Sequence, residues 1–333
     1  MAPMPLPERD LIAQLRRRVS PGGRNRLTGR AKASIRVGMG DDCAVLRIGS
    51  DLDCLVTTDF SLEGIHFRRN WHPPESVGHR CLARGLSDIA AMGGEPVAAF
   101  LSLALPGALP QSWVRAFFRG LLRMAEQHHV RLAGGDTAES PNGVLADIVV
   151  LGTVPRGQAI LRSGARPGDR IFVSGTLGGS AAALAQLRRQ PRKKADERQF
   201  ARHFYPEPRV QLGRMLRERK LATAMIDTSD GLSTDLAHIC EESGVGAEID
   251  ASSIPNARVG QPRSVDLDLA LHGGEDYELL FTVSTRARVP RTLAGVALTE
   301  IGRITSSRKI RLHRMDDKTV PLKPRGWEHF REK

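Results

Sequence analysis

Residues 38–66 read GMGDDCAVLRIGSDLDCLVTTDFSLEGIH, and the placement of acids in that stretch decides how the rest of the chain is read. A Gly-x-Gly turn, Gly38 to Gly40, runs into Asp41-Asp42. The apolar runs Cys43–Ile48 and Cys54–Thr58 predict two strands, with Asp59 at the end of the second. Tight turns and strand ends present side chains rigidly. Carboxylates and hydroxyls gathered there are hard oxygen ligands, which suit Mg²⁺ better than a transition metal. Turn chemistry alone accounts for any single Asp beside glycine. The pattern gains weight because it recurs along the chain.

Upstream, residues 8–18 predict a short amphipathic helix with Leu11, Ile12 and Leu15 on one face, followed by a Pro/Gly loop from Ser20 to Asn25. Downstream, Pro73-Pro74 opens a helix whose Val77, Cys81, Leu82, Gly85, Leu86 and Ile89 recur at helical spacing, and Gly93-Gly94 stops it. Asp88 lies near its C-terminal end, where the helix dipole disfavours an acid. Val97–Leu105 predicts a strand and Pro110 starts a second helix. Val130–Ala133 predicts a short strand ending at Gly134-Gly135-Asp136-Thr137, and β-branched Val144–Val154 predicts a long one. The turn-rich connector Arg162–Asp169 marks the change of domain. We divide the chain into an N-terminal α/β domain, 1–155, and a C-terminal α+β domain, 156–333.

In the second half, strand Arg170–Ser174 meets a glycine turn, Gly175–Gly179, that leads into a helix. The turn lacks the Walker Lys-Ser/Thr, so helix–sheet packing is preferred to phosphate binding. Pro208–Arg219 predicts another helix. Ala224–Asp227 predicts a strand whose tip carries Asp227 and Asp230, with Thr228, Ser229 or Asp230 expected to cap the helix that follows. Glu275-Asp276 stands before strand Tyr277–Val283, and Ile301–Ile304 and Lys309–His313 predict late strands. An aromatic segment, residues 324–330, is expected to pack down at the end.

The length of 333 residues suits two domains. No apolar run is long enough to span a bilayer, and the first 18 residues show no secretory pattern. Cys43, Cys54, Cys81 and Cys240 are isolated from one another, which points to the reducing cytoplasm and away from zinc or redox chemistry. A net charge of +12 raises nucleic acid as a partner. Its main clusters, Arg16–Arg18 and the loop-like Arg188–Arg202, are not interleaved with the stacking aromatics that a single-strand binder uses, so nucleic acid is disfavoured.

Acids beside Gly, Ser or Thr therefore stand at Asp41/Asp42, Asp59, Asp88, Asp136, Asp227/Asp230 and Glu275/Asp276. If they converge, they repel one another strongly unless cations join them. Several Mg²⁺ ions and a polyphosphate satisfy that condition, and phosphoryl transfer from a nucleotide needs the positioning and charge neutralisation such a site supplies. No EF-hand loop is present to favour calcium.

The segments GMGDDCAVL, VTTDFSLEGIHF, LSDIAAMGGEP, AGGDT, RSGARPGD, IDTSDGLSTDL and GGEDYELLF occur in this order. Together they resemble the thiamine-monophosphate kinase family, in the superfamily of aminoimidazole ribonucleotide synthetase and selenophosphate synthetase, over about residues 8–330. The resemblance implies ATP-dependent phosphorylation of thiamine monophosphate to thiamine diphosphate by direct in-line transfer. It implies an N-terminal α/β domain carrying the metal and ATP site, whose sheet pairs across a homodimer, and an α+β C-terminal domain. It places metal ligands at Asp42, Thr57, Thr58, Asp59, Asp88, Asp136, Asp227 and Asp230, of which Asp59, Asp88 and Asp227 are the catalytic carboxylates. ATP contacts fall on Gly135, Asp136, Arg162 and Ser229, and substrate contacts on His66, Glu275 and Trp327. The chain departs from the family pattern at Ala138-Glu139, where Thr-Arg often follows GGDT. A sister ATP-using enzyme of this fold and a non-catalytic nucleotide- or nucleic-acid-binding protein are the alternatives, and the size of the acidic set argues against the second.

Overall fold

The computed structural model describes residues 7–19, 34–189, 197–259 and 265–330. The expected loop Ser20–Asn25 lies outside the described residues, as do residues 190–196 of the basic cluster. Helix α1 (Glu8–Val19) precedes a six-stranded sheet built from β1 (Ile35–Val37), β2 (Ala44–Arg47), β3 (Leu52–Leu62), β4 (Glu95–Leu105), β5 (Arg131–Glu139) and β6 (Leu145–Pro155). Its order is β1-β2-β3-β6-β4-β5, and only β4–β5 is a parallel pair. Helices α2 (Pro74–Ala91) and α3 (Gln111–Gln127) cover one face. Leu55, Leu82, Leu86, Ile89, Phe117, Leu121, Met124, Ile148 and Val150 fill the core between them. Period-two alternation puts Leu55, Thr57 and Asp59 on the same face of β3, towards α2.

The second sheet follows the order β14-β13-β9-β12-β7-β10-β8, with β11 paired to β12. Its strands are β7 (Arg170–Ser174), β8 (Ala222–Asp227), β9 (Gly246–Asp250), β10 (Leu279–Val283), β11 (Thr292–Leu293), β12 (Val296–Thr305), β13 (Ile310–His313) and β14 (Thr319–Pro321). The accompanying helices are α4 (Gly179–Arg189), α5 (Ala201–Phe204), α6 (Val210–Glu218), α7 (Leu232–Ser243) and α8 (Leu267–His272). The last turn of α2 is the hinge of the packing. Ala90 and Ala91 join Phe172, Leu212, Met225, Leu279 and Phe281 in one buried cluster, so the helix belongs to both halves. That anchoring fixes Asp88, one turn earlier, against the second sheet.

Several expectations are corrected. Asp59 does not end a strand: β3 continues to Leu62, because its backbone pairs with β6 as far as Leu62↔Leu145. The GGDT segment likewise lies inside β5, paired to β4 through Ser102↔Asp136, and does not form a tip. Gly135 permits that pairing, since with φ +152° a Cβ there would overlap the Leu101 carbonyl. No side chain of Thr228, Ser229 or Asp230 caps α7. Gly231 occupies the N-cap, and its N–H donates to Asp235 Oδ2 at 3.0 Å from within the helix. The glycine turn before α4 is held by protein: Gly178 N–H donates to Asp276 Oδ2 at 2.5 Å and Ser180 N–H to Asp276 Oδ1 at 3.1 Å, so a carboxylate of the chain itself takes two amides there. The apolar face of α1 is only partly covered, with Ile12 and Leu15 exposed. Residues 324–330 are fixed through the main chain while Trp327 and Phe330 keep their rings about half exposed. All four cysteines are free and buried. Among the described residues no helix is long and apolar enough to cross a membrane.

Candidate active site

A cleft of about 690 Å³ opens between the halves. Its floor is set by three elements that end or cross at the same point. β3 brings Thr57, Thr58 and Asp59, α2 brings Arg84 and Asp88, and the tip of β8 brings Asp227 with Ser229 and Asp230 just beyond. Asp42, from the turn before β2, completes the floor, and one carboxylate oxygen each from Asp42, Asp88 and Asp227 lie within 4.8 Å of one another. Thr57 Oγ1 donates to Asp88 Oδ2, and Ser87 Oγ donates to Asp227 Oδ2 at 2.6 Å. Arg162 Nη2 donates to Asp42 Oδ1 at 2.6 Å, while Asp42 Oδ2 is buried with no hydrogen-bond partner.

In this setting Asp88 and Asp227 resist ionisation. Burial, with Asp59, Asp227 and Asp42 as neighbours, holds Asp88 well above the ordinary carboxylate range. Burial and Asp42 push Asp227 up to about 7, against the Ser87 hydrogen bond and Arg162. Asp59 is raised by burial, with Arg84 opposing, and burial with Glu8 takes Asp230 to about 6. The donor set is all oxygen and includes an orphaned buried acceptor. A hard divalent cation fits it.

The other end of the cleft has a different character. Glu275 is held by Arg80 Nη2, and its backbone sits at φ +66° with its N–H donating to Ser229 O at 2.8 Å. Burial raises its pKa, but Arg80 and then Arg84 outweigh that, and the net displacement is downward. Glu275 is therefore an anion. Trp327, His329, Phe330 and His66 form the facing wall, with Trp327 and His329 edge to face at 5.7 Å and His66 and His329 at 5.4 Å. Burial, then Arg84, lowers His66 to about 3, so this imidazole is neutral, and its Nδ1 accepts from Leu62 N–H at 3.0 Å. The cleft thus joins a charged floor suited to phosphates with a flat aromatic slot closed by one carboxylate.

Of the residues expected from sequence, Asp42, Thr57, Thr58, Asp59, His66, Asp88, Arg162, Asp227, Ser229, Asp230, Glu275 and Trp327 line this one cleft. Gly135 and Asp136 do not; they sit exposed on β5 in the single chain. Sequence reasoning missed Arg80 and Arg84. The signal was there, because Arg80, Arg84 and Asp88 repeat every fourth residue and so share a stripe of α2.

Comparison with known proteins places this geometry. Residues 40–154 match the family described as AIR synthase related protein, N-terminal domain, and residues 166–314 match its C-terminal domain. The two matches define the class, the AIR-synthase-related proteins, in agreement with the expected fold. The chain is 35% identical over 309 residues to the thiamine-monophosphate kinase of Bacillus subtilis, covering 90% of this chain and 95% of the relative. It is 38% identical over 312 residues to that of Escherichia coli K12, covering 90% and 94%. Among solved structures, AaThiL complexed with AMPPCP and TMP superposes with a TM-score of 0.81 at 32% identity, covering 99% of this chain and 100% of the other. The chain belongs to the thiamine-monophosphate kinase family.

Proposed function

We propose that this chain transfers the γ-phosphoryl group of ATP to the phosphate of thiamine monophosphate, yielding thiamine diphosphate and ADP. The observation that carries the reading is the union, in one cleft, of a carboxylate cluster with an aromatic slot closed by Glu275. A non-bridging oxygen of the acceptor phosphate forms the new P–O bond as the bond from Pγ to the β–γ bridging oxygen breaks, and ADP carries that electron pair away. The acceptor phosphate is largely ionised near neutral pH, so no strong general base is needed and no phospho-enzyme intervenes. Asp42, Asp88 and Asp227, with Asp59 and Asp230 nearby, would hold Mg²⁺, whose chemistry there is to neutralise phosphate charge. Arg162 orients Asp42, Thr57 orients Asp88 and Ser87 orients Asp227. ADP release with thiamine monophosphate, tested against thiamine and an aminoimidazole precursor, is the direct assay; its absence from folded protein with MgATP would falsify the assignment.

The raised carboxylates make a prediction with a definite sign. Asp88, held well above the ordinary carboxylate range, and Asp227, at about 7, retain proton occupancy that a cation must displace. Mg²⁺ binding is therefore expected to release protons and to tighten from about pH 6 to about pH 8. Asp227 favours the fold at low pH and loses that contribution as pH rises through about 7, and Asp88, held well above the ordinary carboxylate range, acts in the same direction. Titration calorimetry in two buffers of different ionisation enthalpy measures the proton release directly. Identical heats in both buffers at neutral pH would remove these carboxylates from the metal site.

Trp327 and Glu275 are assigned to the vitamin's heterocycles. Trp327 N–H is tied to Asp230 O at 3.2 Å, and Gly326 N–H to Thr234 Oγ1 at 3.0 Å, so the main chain is fixed independently of the indole. The ring is 47% exposed and faces the cleft. Trp327→Ala is expected to weaken thiamine monophosphate by about 1–2 kcal/mol, roughly a tenfold rise in KM, with KM for ATP and the melt little changed. A parallel rise in both KM values would make the tryptophan structural.

The domain division at 155/156 and the cytoplasmic setting stay part of this reading on the sequence, and the ATP contacts at Gly135 and Asp136 on the family resemblance. A homodimer does as well, and the sheet supplies a further reason. The long strand β6 is central, between β3 and β4. Among the described strands β5 is an edge, and the sheet face opposite α2 leaves Phe60 and Val97 at 53% and 50% exposure. Unpaired edges and apolar faces of this kind are covered by association. Light scattering should give twice the chain mass of 36.4 kDa; a monomer at working concentration would contradict it.

A further inference from the structure

Arg84 sits where the two ends of the cleft meet. It projects from α2 one turn before Asp88 and one turn after Arg80, and its side chain is 16% exposed. Its nearest charged neighbours are Asp59 of the floor and Glu275 of the slot. Arg84 Nε lies 3.5 Å from Asp59 Oδ1, and Arg84 Nη1 lies 3.8 Å from Glu275 Oε1. Both separations exceed those of charge-assisted hydrogen bonds, which run near 2.8 Å. The contrast with its neighbours is sharp: Arg162 reaches Asp42 at 2.6 Å, and Arg80 spends its donors on Glu275 and the His203 carbonyl. A guanidinium offers five N–H donors in a planar fork, so Arg84 keeps donors to spare beside the open cleft.

We propose that Arg84 is the clamp for the acceptor's phosphate, and so the residue that separates a phosphorylated acceptor from its unphosphorylated counterpart. The inference rests on the kinase reading above. If the heterocycle lies against Trp327 and Glu275 while the nucleotide phosphates lie over Asp42, Asp88 and Asp227, the acceptor phosphate must fall between them. That is where Arg84 stands, between Glu275 and Asp59. The carboxylates around that position repel a phosphate dianion, and Arg84 is the cation that bridges both ends. A planar fork matches two phosphate oxygens at once, which a carboxylate-to-carboxylate strut does not require.

The test separates a clamp from a strut. Binding of thiamine monophosphate and of thiamine is measured by calorimetry with magnesium and without ATP, for the wild-type protein, Arg84→Gln and Arg84→Lys. The wild type is expected to prefer the phosphorylated ligand. Arg84→Gln is expected to weaken thiamine monophosphate roughly tenfold or more while leaving thiamine within about twofold. Arg84→Lys keeps the charge without the fork and should fall between the two; it decides the matter if the Gln variant does not fold. Equal weakening of both ligands means that Arg84 only braces Asp59 and Glu275, and an unchanged affinity for the phosphorylated ligand means that the phosphate lies elsewhere. Either result overturns the proposal. A wild-type protein that binds neither ligand overturns the acceptor assignment itself, before any variant is compared.

Discussion

Asp88→Asn is expected to lower kcat by about two or more orders of magnitude, at least about 2.7 kcal/mol of barrier, while raising the melting temperature of the magnesium-free protein. Both effects have one cause. Asp88 lies at the centre of a set of carboxylates, and burial with three acidic neighbours holds it well above the ordinary carboxylate range. Asn cannot ionise, so it spares the set the charge that Asp88 would acquire as pH rises, and it can still accept the Thr57 hydrogen bond. The fold should therefore gain, most clearly above neutral pH, where the neighbouring carboxylates are charged. Catalysis should lose because a ligand that is needed only with the phosphates has gone. Asp59→Asn, on the same face of β3, should lower kcat on a similar scale. Kinetics at saturating magnesium and a calorimetric melt in chelator measure the two halves separately. Near-normal turnover in either variant means that the metals lie elsewhere.

The second large effect belongs to Arg80. Its side chain is 4% exposed and joins the His203 carbonyl to Glu275. His203 in turn lies 3.0 Å, Nε2 to Nε2, from His72, and its Nδ1 lies 2.8 Å from Ser180 Oγ, so Arg80 ties the slot to a buried polar chain. Arg80→Met keeps the bulk and removes the charge. It is expected to cost roughly 3 kcal/mol of stability, the lower end for orphaning one partner of a buried pair, because Glu275 is still partly solvated. Glu275 is held below its ordinary pKa, so its ion pairs stabilise the fold above the unfolded carboxylate value and lose that contribution as pH falls through the folded one. The penalty should thus be full at neutral pH and shrink below about pH 4. Because Glu275 would lose its anchor, KM for thiamine monophosphate should rise while KM for ATP stays near its wild-type value. A double variant with Glu275→Gln should be less destabilised than the sum of the two single changes. Unchanged denaturation midpoints for Arg80→Met would show that the pair contributes nothing.

Asp42, Asp59, Asp88 and Asp227 were singled out in the sequence by residue type and recurrence, and the structure brings them into one cleft. Gly, Ser or Thr beside a carboxylate at the end of an apolar run marks a place where backbone geometry frees a side chain for chemistry. Apolar periodicity also located the helix that carries Asp88, because burial of one stripe demands it. Strand ends were read less well. Residues 59–62 and 134–139 carry Asp, Ser and Gly, which look like turn, yet pairing with β6 and β4 keeps them extended. Ladder hydrogen bonds come from strands distant in sequence, and local propensity does not report them.

What the sequence by itself determined is the chemistry available: hard oxygen donors, an ordered set of motifs, two halves, and an aromatic tail. Only the tertiary structure decided which of these groups meet. Asp42, Asp88 and Asp227 converge because the end of α2 is buried in the second sheet's core, against residues such as Leu212, Met225 and Phe281 that are far from it in sequence. Asp276 was spent on the amides of α4 and left the site, and Asp136 stayed on an exposed strand. Arg84 became the cation between floor and slot through its neighbours alone. A charge has no intrinsic role; the distance to its partners and the water excluded around them set its energy, and both are properties of the packed chain.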